Sequence, residues 1–262
     1  MHRLVVCVLL ATTLMAQAPT GVPADLRFEV ASLKPSLPGA SPGGIRPAEG
    51  GMRYIANNCP INLMIMVAYR VKVDQIVGGP SWLTTDLYDM EAKADKPSSS
   101  DELHTMLMNL LVDRMQMKFH REARDMRRYV LTVDKDGPKL TPHEAQSAHD
   151  PWIDIIQEKF LHLKLTGTAA PMEYVAFRLA QQVDRPVVDM TGLKGGYDFN
   201  LFYTRELPPG FPEGGKVNGE DPDTSGPNIF QAVKQQLGLE LKTDRGPVEV
   251  IVIDHAERPA AN

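Results

Sequence analysis

Hydrophobic and polar positions follow one another in an order that occurs twice along the chain, in diverged form. In the first half, an apolar helical run after Pro60 leads to Tyr88-Asp89-Met90. In the second half, a similar run after Pro171 leads to Tyr197-Asp198-Phe199. A further helix and an alternating strand follow each time. This order predicts an α+β protein made of two tandem diverged copies of a β-α-β-β-α-β-β module. We expect the copies to pack as a pseudo-twofold body, because either half alone would expose sheet edges.

Two helices have clear start signals. Ser99 and Glu102 have the spacing of a capping box, and apolar residues then recur at helical spacing up to Leu111. Asn228 is the predicted N-cap of the last helix, which carries an apolar stripe ending at Leu237.

Short alternating segments predict the strands. The segments 117–121 and 128–133 are predicted to form a hairpin, and 239–241 and 248–253 are predicted as two separate closing strands. The segment 185–188 is expected to pair with the strand that begins at Tyr197.

Two long segments, 35–51 and 207–227, are rich in proline and glycine and are predicted to be exposed loops. Because they occupy comparable places in the two halves, we expect them at related rims of the body.

The first eighteen residues have the features of a signal peptide. His2 and Arg3 precede an apolar stretch, and Ala16-Gln17-Ala18 offers the small residues of a cleavage site. We therefore divide the chain into a signal peptide (1–18), a first α+β module (19–140), a linker (141–150) and a second module (151–262). The prediction is an exported protein, periplasmic or extracellular, with no membrane span in the mature chain.

Net charge bears on nucleic-acid binding, and cysteine content bears on disulfide formation. The formal net charge is −5 and the basic residues are scattered, which argues against nucleic-acid binding. Cys59 alone would remain after cleavage, so no intrachain disulfide is possible. We interpret it as a small packed side chain in preference to a reactive thiol.

Several segments resemble a family of exported proteins of unknown function from soil-associated bacteria. They include Phe28-Glu29-Val30-Ala31-Ser32-Leu33, Gly78-Gly79-Pro80-Ser81-Trp82-Leu83, Arg185-Pro186-Val187-Val188-Asp189-Met190-Thr191-Gly192-Leu193 and the ending Val252-Ile253-Asp254-His255. The resemblance implies an exported protein, and a similar domain occurs appended to membrane receptors that resemble antibiotic-sensing metallopeptidases. It assigns no activity, cofactor or functional residue. The receptor association favours an envelope binding or sensing role by analogy.

The densest polar cluster on a predicted turn consists of Asp189, Thr191, Tyr197 and Asp198. These four are the candidate binding residues. The alternative interpretation is structural: Asp189 and Thr191 bond nearby backbone amides in a tight turn, for which Gly192 supplies the backbone conformation. We favour the structural interpretation.

Motifs for other chemistry are absent from the sequence. The histidines lack zinc-ligand spacing, and no Gly-x-Ser-x-Gly elbow, phosphate loop or dinucleotide fingerprint occurs. His104 is placed on a helix, off its apolar stripe. We therefore predict no catalytic residue, no metal site and no cofactor.

Three functional hypotheses remain. The first is a non-enzymatic envelope or extracellular module that binds a small molecule or a protein partner, with the groove between the modules as the site. The second is a hydrolase or lyase using Asp189, Asp198 and His120, which requires these side chains to converge. The third is an envelope assembly protein whose sheet edges recruit strands from other proteins.

Overall fold

The computed structural model describes residues 25–37, 39–48, 51–144 and 151–259, which form a mixed α+β structure of five α-helices and three four-stranded sheets. The α+β prediction is confirmed. The predicted signal peptide lies outside the described residues, as does most of the predicted linker.

The strands are β1 (Val30–Pro35), β2 (Gly44–Pro47), β3 (Arg53–Pro60), β4 (Ile76–Gly78), β5 (Leu87–Lys93), β6 (Lys118–Val133), β7 (Thr141–Pro142), β8 (Trp152–Gln157), β9 (His162–Pro171), β10 (Val187–Asp189), β11 (Gly196–Thr204) and β12 (Leu239–His255). The helices are α1 (Ile61–Tyr69), α2 (Trp82–Thr85), α3 (Ser100–Arg114), α4 (Met172–Ala180) and α5 (Ile229–Leu237).

Three sheets organise these elements. The first has the order β1-β5-β3-β2, the central sheet β10-β6-β12-β4, and the third β7-β11-β9-β8. We call the first sheet with α1, α2 and α3 the first lobe, and the third sheet with α4 and α5 the second lobe. The central sheet joins them.

The start of α3 is capped as its sequence predicts. The Glu102 backbone N–H donates to Ser99 Oγ at 3.2 Å, and the Ser99 backbone N–H donates to Glu102 Oε2 at 2.8 Å. Asn228 and Gln231 form the same reciprocal pair at α5. Both N-cap predictions are confirmed.

The substitution Ser99→Ala is expected to lower the free energy of unfolding by about 1 kcal/mol, because an otherwise unpaired helical N–H loses its acceptor. Ser81→Ala is the matched control, since Ser81 precedes α2 without a side-chain cap bond. It should change stability by less than about 0.5 kcal/mol. Urea unfolding of both variants measures the difference, and equal losses would contradict the capping argument.

The central sheet contains a long two-stranded ribbon. Strands β6 and β12 run for 16 and 17 residues and pair antiparallel from end to end. The predicted hairpin within 117–133 and the predicted break between 241 and 248 are therefore wrong. The charged segment in the middle of β6 stays extended because β12 pairs with it throughout and supplies ion partners, such as Glu249 for Arg121 and Arg245 for Asp125.

Each strand of the ribbon has one end in the first hydrophobic core and its other end in the second. In the first core, which the first lobe surrounds, Ile251 and Ile253 of β12 pack among the buried residues, and Phe119 of β6 packs against them. In the second core, Tyr129 and Leu131 of β6 are buried with residues of the second lobe. The two cores are consequently held together by continuous backbone, not by a flexible connection.

The short strands at the edges of the central sheet also differ from expectation. Strand β10 pairs in parallel with β6, not with β11, and β4 pairs in parallel with β12. The ribbon would otherwise present unpaired backbone groups at both edges, and each short strand covers one of them.

The loop predictions are only partly right. Segment 35–51 contains β2, which pairs with β3, whereas 207–227 stays irregular apart from one isolated bridge between Val217 and Glu220. In the part of the chain that the structure describes, no helix combines the length and apolar character needed to cross a membrane.

Candidate functional site

A cleft with a volume of about 630 Å³ lies between the two lobes. Its first wall comes from β2, β3, α1 and α3, and its second wall from β8 and α4. The lining residues are Ile45, Arg46, Pro47, Ala48, Gly51, Tyr54, Val67, Ser98, Ser100, Leu103 and His104 on the first wall, and Trp152, Ile153, Asp154, Tyr174, Phe177 and Arg178 on the second. The walls are therefore mainly apolar and aromatic, with a few charged side chains.

Tyr54 is the most unusual residue of the first wall. Strand β3 places its ring in the first core, where only 1% of the residue is exposed, yet it also lines the cleft. Its hydroxyl is buried and has no hydrogen-bond partner among the described residues. Burial raises the pKa of Tyr54 far above its ordinary value, and the neighbouring Tyr174 adds to this. The hydroxyl thus keeps its proton and is available as a donor.

His104 lies beside Tyr54, with ring centroids 5.9 Å apart. The residue is only 8% exposed, so its expected position off the apolar stripe does not place it in solvent. Burial, followed by the nearby Arg70 guanidinium, lowers the pKa of His104 to about 4. The ring is therefore neutral near pH 7, and its Nδ1 lies 3.3 Å from Arg70 Nη2.

Arg70 joins the two walls electrostatically. It ends α1 in the left-handed conformation, with φ of 53°, and forms an ion pair with Asp101. Its guanidinium also lies 4.8 Å from the centre of the Tyr174 ring on α4, a cation–π contact between the lobes. The Nε atom of Arg70 is buried without a partner in the described structure.

Helix α4 brings Tyr174, Phe177 and Arg178 to the second wall, because residues three and four apart share a helix face. Lys72, in the segment that follows α1, contacts the end of this helix: its Nζ donates to Ala180 O at 2.8 Å and to Val183 O at 2.6 Å. This contact satisfies carbonyls at and just beyond the helix terminus and ties the end of α4 to the segment after α1.

The predicted binding residues Asp189 and Thr191 lie away from the cleft lining. Asp189 Oδ1 accepts hydrogen bonds from the Thr191 backbone N–H at 2.9 Å and hydroxyl at 2.7 Å, and Thr191 Oγ1 accepts from the Leu193 N–H at 3.2 Å. Gly192 follows with φ of 70°. These are the bonds of the structural interpretation, and they occupy both side chains within their own turn.

Tyr197 and Asp198 are likewise engaged locally. The Tyr197 hydroxyl donates to Lys194 O at 3.1 Å. Asp198 Oδ1 accepts from the Ala169 N–H at 2.8 Å and lies 2.9 Å from His143 Nδ1. Ala169 has φ of 50°, so the carboxylate supports a left-handed backbone at a β-bulge.

The hydrolase or lyase hypothesis fails on distance. Asp189 pairs in register with Leu131, which lies eleven residues after His120 in the same strand. At a rise of roughly 3.3 Å per residue the two positions are about 36 Å apart, so no direct proton transfer can link them. His120 instead contacts Asp254 at 2.9 Å.

The arrangement of possible metal ligands and the environment of Cys59 bear on two other kinds of chemistry. Among the described residues, no three His, Cys, Asp or Glu side chains are arranged to hold a metal ion. Cys59 is fully buried, and burial raises the pKa of its thiol to about 12, as its interpretation as a packed side chain requires.

The cleft residues were not identified from the sequence, although one signal was present. Tyr174 and Arg178 are four residues apart in a helix whose other residues are mostly apolar. A polar pair on one face of such a helix has to meet solvent, a partner or a ligand. The Tyr54 hydroxyl offered no comparable signal, because strand alternation simply predicts a buried ring.

Comparison with protein families finds a match over residues 62–256, from α1 through the end of β12, to the family described as "Protein of unknown function (DUF3738)". No curated protein and no solved structure matches the chain. The matched region includes α1, α3, α4 and β8, which build most of the cleft, and both strands of the ribbon. The chain therefore belongs to the DUF3738 family of proteins of unknown function.

Proposed function

We propose that the protein is an exported, non-enzymatic binding or sensing module that takes up a small molecule in the cleft between its lobes. The observation that carries this proposal is the buried Tyr54 hydroxyl, which lines the cleft and has no partner in the described structure. Buried polar groups in native proteins are nearly always paired, so an unpaired donor at a cleft favours a bound ligand. The export part rests on the features of residues 1–18.

Equivalent hydrogen bonds in the two halves of the chain fit a duplicated sequence. In each half, the strand before the helix contains a residue with positive φ whose N–H donates to an aspartate: Asn58 to Asp89 at 2.7 Å, and Ala169 to Asp198 at 2.8 Å. A second parallel follows the short edge strands. The Gly79 N–H, after β4, donates to Ile253 O of β12, and the Met190 N–H, after β10, donates to Leu131 O of β6. These parallels support two copies of one module related by a pseudo-twofold axis.

In this arrangement the cleft lies between modules 19–140 and 151–262, where ligand sites of multidomain proteins are common. Only the first of the two long loops contributes to it, through residues such as Ala48 and Gly51. None of the lining residues belongs to 207–227, so the two loops do not share one rim in the described structure.

The test is a thermal-shift screen of metabolite and cell-wall fragments against the wild type and two tryptophan variants. Ala48→Trp places an indole in the cleft, at a partly exposed position where folding should survive. Ala123→Trp is the matched control on the exposed middle of β6. A compound that binds the cleft should raise the midpoint of the wild type and of the control in a saturable manner.

Ala48→Trp should weaken the same compound by at least about tenfold, because the indole occupies the ligand's volume. A compound that binds Ala48→Trp and the wild type equally would place the site elsewhere and contradict the proposal.

A further inference from the structure

The unpaired polar atoms around the cleft share one chemical property. Tyr54 Oη, Arg70 Nε and Arg178 Nε are all buried without a partner in the described structure. Both arginine atoms carry only a proton to donate, and the Tyr54 hydroxyl retains its proton. Tyr54 and Arg178 line the cleft together with Tyr174, and the Arg70 guanidinium lies 4.8 Å from the centre of the Tyr174 ring. Two of the three atoms belong to residues that line the cleft, Tyr54 and Arg178, so the cleft has buried donors that lack an acceptor in the described structure.

The charged side chains that line the cleft are predominantly positive. Arg46 and Arg178 line the cleft, and within the described residues neither forms an ion pair with a carboxylate. The opposing charge is Asp154, which already accepts a hydrogen bond from the Ile155 N–H. His104 is neutral, and Arg70 is compensated by Asp101. The side chains that face the cleft therefore leave a positive charge uncompensated.

The rest of the lining is apolar and aromatic. Val67 and Leu103 stand on the first wall, and Phe177 and Trp152 on the second, where Trp152 is 42% exposed. Aliphatic side chains on the first wall and aromatic rings on the second favour a ligand body that is apolar and can bear a ring.

We infer that the cleft recognises a small organic anion, with an apolar ring body between Phe177 and Leu103 and one acidic oxygen group bound by Arg178 and Tyr54. This inference rests on the proposed binding function and adds the chemical class of the ligand. Guanidinium groups bind carboxylate and related oxyanions in preference to neutral acceptors, because the hydrogen bonds are charge-assisted. Arg46, on the exposed rim, would attract the anion as it enters.

The test uses three probes with one ring system and different charge: 2-naphthoate, 2-naphthamide and 2-naphthylmethylammonium. Calorimetric titration of the wild type should give the lowest Kd for 2-naphthoate, by about tenfold relative to the amide, with the cation weakest. Arg178→Gln should remove most of this preference while changing the Kd of 2-naphthamide by less than about twofold. Arg127→Gln, at an exposed position on β6 outside the lining, is the matched control and should keep the preference.

Arg46→Gln provides a second variant at an exposed position if Arg178→Gln folds poorly, and it should weaken 2-naphthoate selectively. Equal or tighter binding of the amide or the cation to the wild type would overturn the anion inference. If the amide binds the wild type but not Ala48→Trp, the cleft is still the binding site, and only the inference that the ligand is an anion is overturned. If none of the three probes binds at millimolar concentration, the anion inference is overturned, and the fragment screen with Ala48→Trp decides the proposed function separately.

Discussion

The substitution Gly238→Ala is expected to lower the free energy of unfolding by about 4 kcal/mol, the largest effect anticipated for a one-carbon change in this protein. Gly238 ends α5 with φ of 63° and its N–H donates to Val233 O. An L-residue in this conformation costs about 1–2 kcal/mol by itself. In addition, a Cβ at Gly238 would lie 2.1 Å from the backbone oxygen of Gly137.

That steric conflict cannot be relieved by a side-chain rotation, because the contacted atom is backbone. The same turn is fixed by two further bonds: the Asp134 N–H donates to Gly238 O at 2.9 Å, and the Lys139 N–H donates to Leu237 O at 2.8 Å. Moving the turn would therefore disturb the end of β6 as well as α5.

Gly192→Ala is the control that separates the cost of the left-handed backbone conformation from the cost of the steric contact with Gly137. Gly192 has φ of 70°, but a Cβ there would meet no atom within 4 Å. We expect a loss of about 1 kcal/mol, from the backbone conformation alone. Equilibrium unfolding in urea, with the slope compared between variants, measures both losses. If Gly238→Ala and Gly192→Ala lose the same amount, the backbone collision contributes nothing and the argument is wrong.

The second large effect is a loss of stability on acidification that depends on His104. Burial, then Arg70, lowers the pKa of His104 from its ordinary 6.5 to about 4 in the folded protein. Between these values the unfolded chain binds a proton that the folded chain does not, so stability falls as the pH decreases from 6.5 towards 4. Above pH 6.5 the ring is neutral in both states and has no such effect. Between pH 7.5 and 4.5 the loss from this residue is about 2.5 kcal/mol.

Urea unfolding at pH 7.5 and at pH 4.5 tests this on three proteins. Carboxylates also titrate in this range, and comparison between variants removes their contribution. The difference in unfolding free energy between the two pH values should be about 2.5 kcal/mol smaller in His104→Gln than in the wild type. His255→Gln is the matched control, because His255 is exposed at the end of β12. A wild-type pH dependence in His104→Gln would contradict the assignment of the proton to this ring.

The polar turn at Asp189 is encoded locally, whereas the cleft is not. Asp189 and Thr191 were recognisable because Asx and glycine turn chemistry is local, and their bonds lie within the turn. Tyr54 and Arg178 are 124 positions apart in the chain and face one cleft only after the lobes dock. Nothing in the neighbourhood of either residue encodes the other, so the pairing could not be inferred from local pattern.

His104 illustrates the same limit in a helix. Its position relative to the apolar stripe predicts which side of α3 it occupies, and in the structure that side lines the cleft next to Tyr54. Whether such a side is solvated depends on what packs opposite to it, which is a tertiary property.

The sequence by itself determined the α+β class, the capped starts of α3 and α5, and the local structure of the glycine turns, because each depends on residues within a few positions of one another. Only the tertiary structure decided that 118–133 and 239–255 are single long strands, since their charged middles are extended through pairing with each other. It also decided that β4 and β10 join the ribbon, covering edges that no local signal reveals. The cleft likewise depends on long-range contacts, because its walls come from both halves of the chain, which the ribbon and the Lys72 hydrogen bonds hold together.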